Sequence, residues 1–223
     1  MAARGGYTYL APLRYRAFTR FYDRVVATTT RSREWLPRVA TIAAVAPREM
    51  VLDVGCGTGT LLGCLPQYAG LLCGVDADAE ALAAASSKAN AGHLYFARGF
   101  AQQLPFADAT FDLVVSSLFF HHLRTVAKEE VLREIRRVLH PQGRLVIADW
   151  GMPAGLLPRA GFCLVRLLDG FETTRDSARG AMPHLITAAG FDPPLEEEPL
   201  STLLGTIRFW KTRPAAWLCS SVS

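Results

Sequence analysis

Short apolar runs alternate with amphipathic helical patterns through the middle of the chain. Two helical patterns, over residues 79–90 and 128–139, separate segments that are rich in Val, Leu and Ile. These apolar segments are predicted to be buried strands over residues 50–54, 70–76, 111–116 and 144–149. Because parallel strands need crossover connections, strands that alternate with helices predict a parallel sheet with helices on both faces.

The pattern changes after Trp150. Residues 151–190 contain an apolar helical pattern, a polar joint and a second helical pattern that Pro183 interrupts. Two strand patterns, 195–204 and 206–214, meet near Gly205 and predict an antiparallel hairpin. We therefore predict a single α/β domain of four parts, which are an N-terminal helical cap (1–45), a core (46–150), a helical lid insert (151–190) and a terminal hairpin (191–223).

Composition limits the class of protein. A chain of 223 residues, half of them hydrophobic, is long enough for one sizeable core. Its five cysteines form no C-x-x-C pair and lie near no histidine cluster, so we expect neither disulfides nor a metal site, and a reducing, cytoplasmic environment. No apolar run approaches 18 residues and no apolar segment opens the chain, so we expect no stable membrane insertion and no secretory signal.

Positive charge is concentrated in the N-terminal leader. Residues 1–40 carry eight arginines and two acidic residues, which leaves a balance of −2 for the rest of this +4 chain. Tyrosine, phenylalanine and tryptophan residues are interleaved with the arginines, which favours a packed cap helix. Targeting and contact with an anionic membrane remain alternatives for this leader.

The stretch V-L-D-V-G-C-G-T-G-T-L-L, residues 51–62, combines a strand, a glycine-rich turn and a helix that is predicted to begin near Thr58. Such a turn lets backbone amides and a helix N-terminus approach a nucleotide or a carboxylate. A dinucleotide fingerprint needs glycine at its sixth position, where Thr60 stands, and no phosphate-binding P-loop signature is present. An NAD-type oxidoreductase is thus the weaker alternative.

Two acidic residues favour S-adenosylmethionine, whose methionine end is zwitterionic and carries a sulfonium cation. Asp53 stands two positions before the first glycine of the turn. Asp76 ends the next predicted strand, where a carboxylate can accept hydrogen bonds from both ribose hydroxyls.

Four motifs together resemble the class I S-adenosylmethionine-dependent methyltransferases. They are V-L-D-V-G-C-G-T-G, G-V-D, L-P-F-A-D-A-T-F-D-L-V-V-S and E-I-R-R-V-L-H-P-Q-G-R-L-V-I-A-D, within residues 46–150. They are most similar to the small-molecule branch that includes ubiquinone and menaquinone biosynthesis C-methyltransferases. The resemblance implies a Rossmann-like seven-strand sheet of order 3-2-1-4-5-7-6, with its last strand antiparallel and the cofactor across the carboxyl ends of strands 1, 2 and 4.

The resemblance also implies a set of cofactor contacts. Asp53 and the glycine turn would line the methionine end, and Asp76 would bind the ribose. Ala77 and the segment before L-P-F would contact the adenine. The two serines that end the fourth strand would lie near the transferring methyl group. Phe100 replaces the acidic residue that this family usually carries before L-P-F, so either its ring stacks on adenine or Gln102 or Gln103 makes the adenine contact instead. The complete predicted set is Asp53, Gly55, Cys56, Gly57, Gly59, Asp76, Ala77, Phe100, Ala101, Ser116 and Ser117.

The sequence indicates fewer candidates for the catalytic residues and for the residues that bind the methyl acceptor than for the cofactor contacts. His121 and His122 in F-F-H-H-L are candidate general bases, although methyl transfer from a sulfonium does not require one. The apolar insert predicts a lid over a hydrophobic small molecule, in a pocket that the leader completes. Predicted pocket residues are Tyr22, Trp35, Arg175 and His184.

Nucleic acid is not expected as the methyl acceptor. The segment S-S-L-F-F stands where an N/D-P-P-Y/F signature would indicate methylation of a base amine, and the chain outside the leader has no basic excess. O-, C- and N-methylation stay open, as do the oligomeric state and a non-catalytic S-adenosylmethionine-binding or partner module.

Overall fold

The computed structural model describes residues 31–66, 68–88 and 93–216. Seven strands form one sheet: β1 Met50–Val54, β2 Leu71–Asp76, β3 Leu94–Arg98, β4 Phe111–Ser117, β5 Leu139–Gly151, β6 Leu195–Thr202 and β7 Gly205–Thr212. The helices are α1 Ser32–Ala43, α2 Thr60–Cys64, α3 Ala79–Lys88, α4 Thr125–Val138, α5 Leu156–Asp169, α6 Arg175–Arg179 and α7 Met182–Ala188, and a 3-10 turn spans Phe120–His122.

The sheet has the order β3-β2-β1-β4-β5-β7-β6, which confirms the predicted topology. Strands β1 to β5 pair in parallel, whereas β7 is antiparallel to both β5 and β6. Gly151 at the end of β5 pairs with Thr206 at the start of β7. The β6–β7 turn therefore lies at the carboxyl edge of the parallel strands, where class I methyltransferases bind their cofactor.

Alternate residues of the central strands enter two cores. Leu113 and Val115 face a cluster that includes Trp35 of α1 and Phe162 of α5, while Val114 faces a cluster with the apolar sides of α4 and α7. Because side chains alternate across a strand, near-continuous apolar strands must be covered on both faces. This doubly covered sheet matches the α/β pattern of the sequence.

Two element boundaries differ from the sequence prediction. Helix α4 ends at Val138, because Leu139 is already extended and pairs with Phe111, so β5 begins five residues before the predicted strand and includes the H-P-Q-G segment. Pro183 was predicted to interrupt a helix, but it lies in the first turn of α7, where its missing N–H has no intrahelical partner to lose.

The lid helix α5 packs against β7. A Cβ on Gly161 would overlap the carbonyl oxygen of Leu203, so this helix approaches the β6–β7 turn closely at a position that only glycine permits. The guanidinium Nη1 of Arg31 donates to the carbonyl of Ser201 over 3.0 Å, which brings the start of the described chain to the same turn. Among the described residues, no helix has the length and apolar character to cross a membrane.

Candidate functional site

Asp53 is a buried carboxylate in the sheet, two residues before the glycine turn (residues 55–59). Its side chain is 0% exposed, and neither carboxylate oxygen has a hydrogen-bond partner among the described residues. Burial, with a smaller contribution from the charge of Asp76, raises the pKa of Asp53 to about 8. A buried carboxylate without a partner is costly, so Asp53 is suited to a polar or cationic ligand that arrives at the turn.

The glycine turn has a conformation that requires glycine. Gly55, Gly57 and Gly59 have φ values of 75°, 51° and 72°, which L-residues rarely adopt. A Cβ on Gly57 would meet no atom within 4 Å, whereas a Cβ on Gly55 would overlap the ring of Phe119. Open space above Gly57 and the unpartnered carboxylate of Asp53 fit a ligand such as the predicted cofactor.

Asp76 joins the end of β2 to this turn. Its Oδ2 accepts the amide of Gly57 at 2.9 Å and its Oδ1 accepts the amide of Asp78 at 2.9 Å. Burial raises the pKa of Asp76, and these amide hydrogen bonds oppose that effect. The neighbouring residue, Ala77, is half-buried, and its carbonyl accepts a hydrogen bond from Nε of Arg98 at 3.1 Å.

Cys56 lies buried in the turn. Burial, assisted by the charges of Asp53 and Asp76, raises the pKa of its thiol well above the usual range. The thiol is therefore protonated at neutral pH and is not a nucleophile.

The segment after β3 carries the predicted adenine contacts. Phe100 is 38% exposed and so is not a core residue, while the next residue, Ala101, is buried. An aromatic ring at the surface beside the carboxyl end of β3 is available to a planar ligand.

The two serines that end β4 have different environments. Ser116 is fully buried and its hydroxyl donates to the carbonyl of Val54 over 2.8 Å, so it joins β4 to β1. Ser117 is partly exposed, and Leu118 follows it with a φ of 48°. This left-handed conformation costs about 1 kcal/mol or more and turns the chain away from the sheet.

Asp149, near the end of β5, holds the turn that follows. Its Oδ2 accepts three successive amides, from Phe119, Phe120 and His121, at 2.6 to 3.3 Å. Its Oδ1 lies 2.6 Å from Nδ1 of His121. Because a carboxylate accepts hydrogen bonds, Nδ1 carries the hydrogen, and Nε2 of His121 keeps its lone pair in the neutral ring.

The lid helix ends beside the turn that contains His121 and His122. Asp169, its last residue, lies 3.7 Å from Nε2 of His121 and 3.8 Å from Nδ1 of His122. Burial, with the adjacent His121, lowers the pKa of His122 well below its usual value, so its ring is neutral at pH 7. The structure thus places both predicted histidines between the lid and the carboxyl edge of the sheet.

The predicted acceptor residues are not gathered in one place. Trp35 is buried in the core cluster that also contains Phe162 of the lid helix, and Tyr22 lies outside the described residues. Arg175 is exposed and donates to Thr125 at 3.3 Å, and His184 is exposed on α7, which packs on α4. His184 therefore lies on a helix that packs in the other core cluster, on the opposite face of the sheet from Trp35.

Sequence reasoning missed Asp149 and Asp169. The pattern R-L-V-I-A-D placed Asp149 at the end of a strand, which is the usual position of functional acids in parallel sheets. Asp169 stands in a polar joint, 47 positions after His122, and no local spacing relates the two residues.

Comparison with known proteins agrees with this geometry. A family described as "Methyltransferase domain" matches residues 52–147. An uncharacterized methyltransferase from Synechocystis is 30% identical over 148 residues, which cover 66% of this chain and 69% of that protein. A demethylmenaquinone methyltransferase from Clavibacter sepedonicus is 34% identical over 147 residues, which cover 64% of this chain and 59% of that protein.

The fold has solved counterparts as well. A SAM-dependent methyltransferase from Methanosarcina mazei superimposes with a TM-score of 0.64 at 20% identity, over 78% of this chain and 97% of that one. On the matched sequence, the sheet order and the glycine turn together, the chain belongs to the methyltransferase-domain family and is an S-adenosylmethionine-dependent methyltransferase.

Proposed function

We propose that this protein transfers the methyl group of S-adenosylmethionine to a hydrophobic small molecule, bound against the exposed apolar face of the lid helix at the carboxyl edge of the sheet. The observation that supports this acceptor class is the outer surface of the lid. Five of its leucines are 49–84% exposed, namely Leu156, Leu157, Leu164, Leu167 and Leu168. Contiguous exposed apolar side chains beside a ligand site are typical of a surface that binds an apolar partner.

Residues of the glycine turn would hold the cofactor's methionine end. The open space above Gly57 would leave room for this end of the cofactor, and ionised Asp53 would complement its positive charge. Asp76 would accept hydrogen bonds from the ribose hydroxyls, and Phe100 with Ala77 and Ala101 would contact the adenine. Ser117, rather than the buried Ser116, would face the transferring methyl group.

The bound cofactor supplies a methyl group on a sulfonium, which is already a good leaving group. The protein's own task is then to orient the acceptor and to exclude water, and positioning of this kind is worth about 7–11 kcal/mol of barrier. Apolar side chains of the lid would perform both tasks, because they would bind a hydrophobic acceptor and cover the site against water. The proposal excludes nucleic acid as the acceptor.

Methyl transfer to a panel of acceptors tests this proposal. Phenols, quinols, amines and lipids form the panel, and demethylmenaquinone is included first because a relative is named for it. We expect transfer to at least one apolar member. Transfer to nucleic acid and to no apolar member would contradict the proposal.

Variants of the lid separate acceptor binding from cofactor binding. Leu167→Ser and Leu168→Ser should raise KM for the acceptor about tenfold each, since burial of a leucine is worth about 1.5 kcal/mol or more, while the affinity for S-adenosylhomocysteine stays unchanged. Leu195→Ser is the matched control, because Leu195 is 62% exposed and pairs with Lys211 at the opposite edge of the sheet. Equal kinetics for lid and control variants would remove the lid from the acceptor site.

A further inference from the structure

Three side chains of ligand type converge beyond the carboxyl ends of β4 and β5. Nε2 of His121 lies 3.7 Å from Oδ2 of Asp169, and Nδ1 of His122 lies 3.8 Å from Oδ1 of the same carboxylate. One ligand atom from each of the three residues lies within 4.8 Å of the other two. The cluster joins the turn after β4 to the last residue of the lid helix.

These contacts are too long to be hydrogen bonds. The Asp169 side chain is only 10% exposed, yet no donor among the described residues reaches its carboxylate. The ring of His122 likewise makes no hydrogen bond within the described ranges. A buried carboxylate between two imidazoles without a hydrogen bond indicates that a ligand completes the cluster.

The separations are close to those around a bound cation. Ligand atoms that bind zinc at about 2.0–2.2 Å in tetrahedral geometry stand about 3.3–3.6 Å apart. The two separations between Asp169 and the histidines exceed these values by a few tenths of an ångström, and the widest separation in the cluster, within 4.8 Å, would have to shorten by about 1 Å on binding.

His121 also has the outer partner that a metal-binding histidine needs. Its Nδ1 donates to Asp149 at 2.6 Å, and Asp149 is itself held by the amides of residues 119–121. Metal-bound histidines usually donate their second ring nitrogen to such a carboxylate, which fixes the ring and directs the other lone pair at the metal. Nε2 of His121 is directed at Asp169 in this way.

We propose that His121, His122 and Asp169 bind one divalent first-row transition-metal ion, with Asp149 as the outer partner of His121. Two imidazoles and one carboxylate suit zinc, cobalt, iron or manganese, whereas calcium and magnesium prefer sites made of oxygen. No metal site was predicted from the sequence, because the cysteines form no C-x-x-C pair and Asp169 is distant from both histidines along the chain.

Three protein ligands leave coordination positions open. In a step that rests on the proposed function, an oxygen or sulfur atom of the acceptor would occupy one of these positions and lose its proton to solvent. The histidines would then act as ligands and not as the general bases that the sequence indicated. Metal binding itself does not depend on this step.

Titration of the chelator-treated, dialysed full-length protein with Co²⁺ tests the site, because absorption in the visible range reports the coordination of this ion. We expect one Co²⁺ per chain without a thiolate charge-transfer band. His122→Ala and Asp169→Asn should each weaken binding at least 100-fold, and Asp149→Asn about 10–100-fold. His184→Ala, which removes an exposed histidine on α7, should bind as the unaltered protein does.

Other outcomes would overturn the proposal. Absence of stoichiometric binding, equal binding by Asp169→Asn, or a thiolate charge-transfer band would each do so, and the first would leave the cluster as a packing contact between Asp169 and the two imidazoles. S-adenosylhomocysteine affinity measured on every variant checks the fold, since the glycine turn contributes none of the proposed ligands. Asp169→Ala provides a second variant if Asp169→Asn fails this check. Retained affinity for this cofactor product with no metal bound would contradict the metal site and leave the proposed methyl transfer intact.

Discussion

At the scale of single residues, the site depends on carboxylates in unlike environments. Asp53 is buried without a hydrogen-bond partner among the described residues, Asp76 accepts two backbone amides, and Asp149 accepts four, the fourth from Trp150. Amide hydrogen bonds favour the ionised form of a carboxylate, whereas burial favours the protonated form. The first two residues therefore lead to different predictions.

Asp53→Asn should change how stability depends on pH. The pKa of Asp53 is raised from 3.8 to about 8 in the folded protein, so between these values the unfolded chain has lost a proton that the folded chain retains. The contribution of Asp53 to the free energy of unfolding is therefore largest below about pH 4 and falls as pH rises towards 8, by at most about 1.4 kcal/mol per pH unit.

Urea denaturation of both proteins without cofactor, at intervals from pH 5 to pH 8, measures this effect. The stability of the unaltered protein relative to Asp53→Asn should decrease steadily across that range. Parallel curves would show that Asp53 does not titrate there.

Asp76→Ala should weaken the binding of S-adenosylhomocysteine by about 1.5–3 kcal/mol, because hydrogen bonds to a charged group are lost. Calorimetry gives this difference directly. Asp78→Asn is the control, since Asp78 accepts the amides of Glu80 and Ala81 at the start of α3 and asparagine preserves such a cap. Equal affinities of Asp76→Ala and the control would exclude Asp76 from the ribose site.

At the scale of elements, a buried ion pair connects α4 to the segment after the lid helix. Lys128 is 0% exposed, and its Nζ donates to Oδ2 of Asp176 and to the carbonyl of Thr173, each at 2.9 Å. Burial acts to raise the pKa of Asp176, but the hydrogen bond and charge of Lys128 outweigh it and lower that pKa. The pair thereby holds the end of the lid insert against the core.

Lys128→Met should destabilise the protein by about 3–5 kcal/mol, because it leaves the Asp176 carboxylate buried and unpaired. Chemical denaturation measures the loss. The double variant Lys128→Met/Asp176→Leu should recover most of it, and Lys88→Met, at an exposed lysine, should change stability by less than about 0.5 kcal/mol. A double variant no more stable than the single one would contradict the ion-pair explanation.

At the scale of the whole molecule, the glycine turn and the lid are assembled from separate parts of the chain. The turn and its acidic partners come from β1 and β2, and the lid comes from the segment between β5 and β6. Arg31 and Gly161 both contact the β6–β7 turn, through Ser201 and Leu203 respectively. The N-terminal leader therefore joins the described chain near the lid.

Deletion of residues 1–30 should leave the affinity for S-adenosylhomocysteine nearly unchanged and abolish methyl transfer. The predicted cofactor contacts from Asp53 to Asp76 come from β1, the glycine turn and β2, whereas the aromatic residues of the leader are predicted to complete the acceptor pocket over the exposed lid leucines. Calorimetry and the transfer assay together measure the two effects. Full turnover by the shortened protein would return the leader to the targeting alternative.

The sequence by itself determined the sheet, the glycine turn and the family. Short apolar runs, a glycine-rich turn and acids at strand ends are local features, and each predicts its structure without knowledge of distant residues. Asp53, Asp76 and the residues 55–59 were identified in this way. The boundary errors at H-P-Q-G and Pro183 arose where strand pairing and helix position outweighed local signals.

Only the tertiary structure decided which residues meet. The convergence of His121, His122 and Asp169 requires the lid helix to cross from the β6–β7 turn to the end of β4, and the glycine at position 161 sets that approach by packing. The opposite environments of Ser116 and Ser117 follow from their alternate directions in β4 and from the carbonyl of Val54 beside one of them. Contacts of this kind depend on packing between residues that are distant in sequence, so they cannot be predicted from the spacing of residues along the chain.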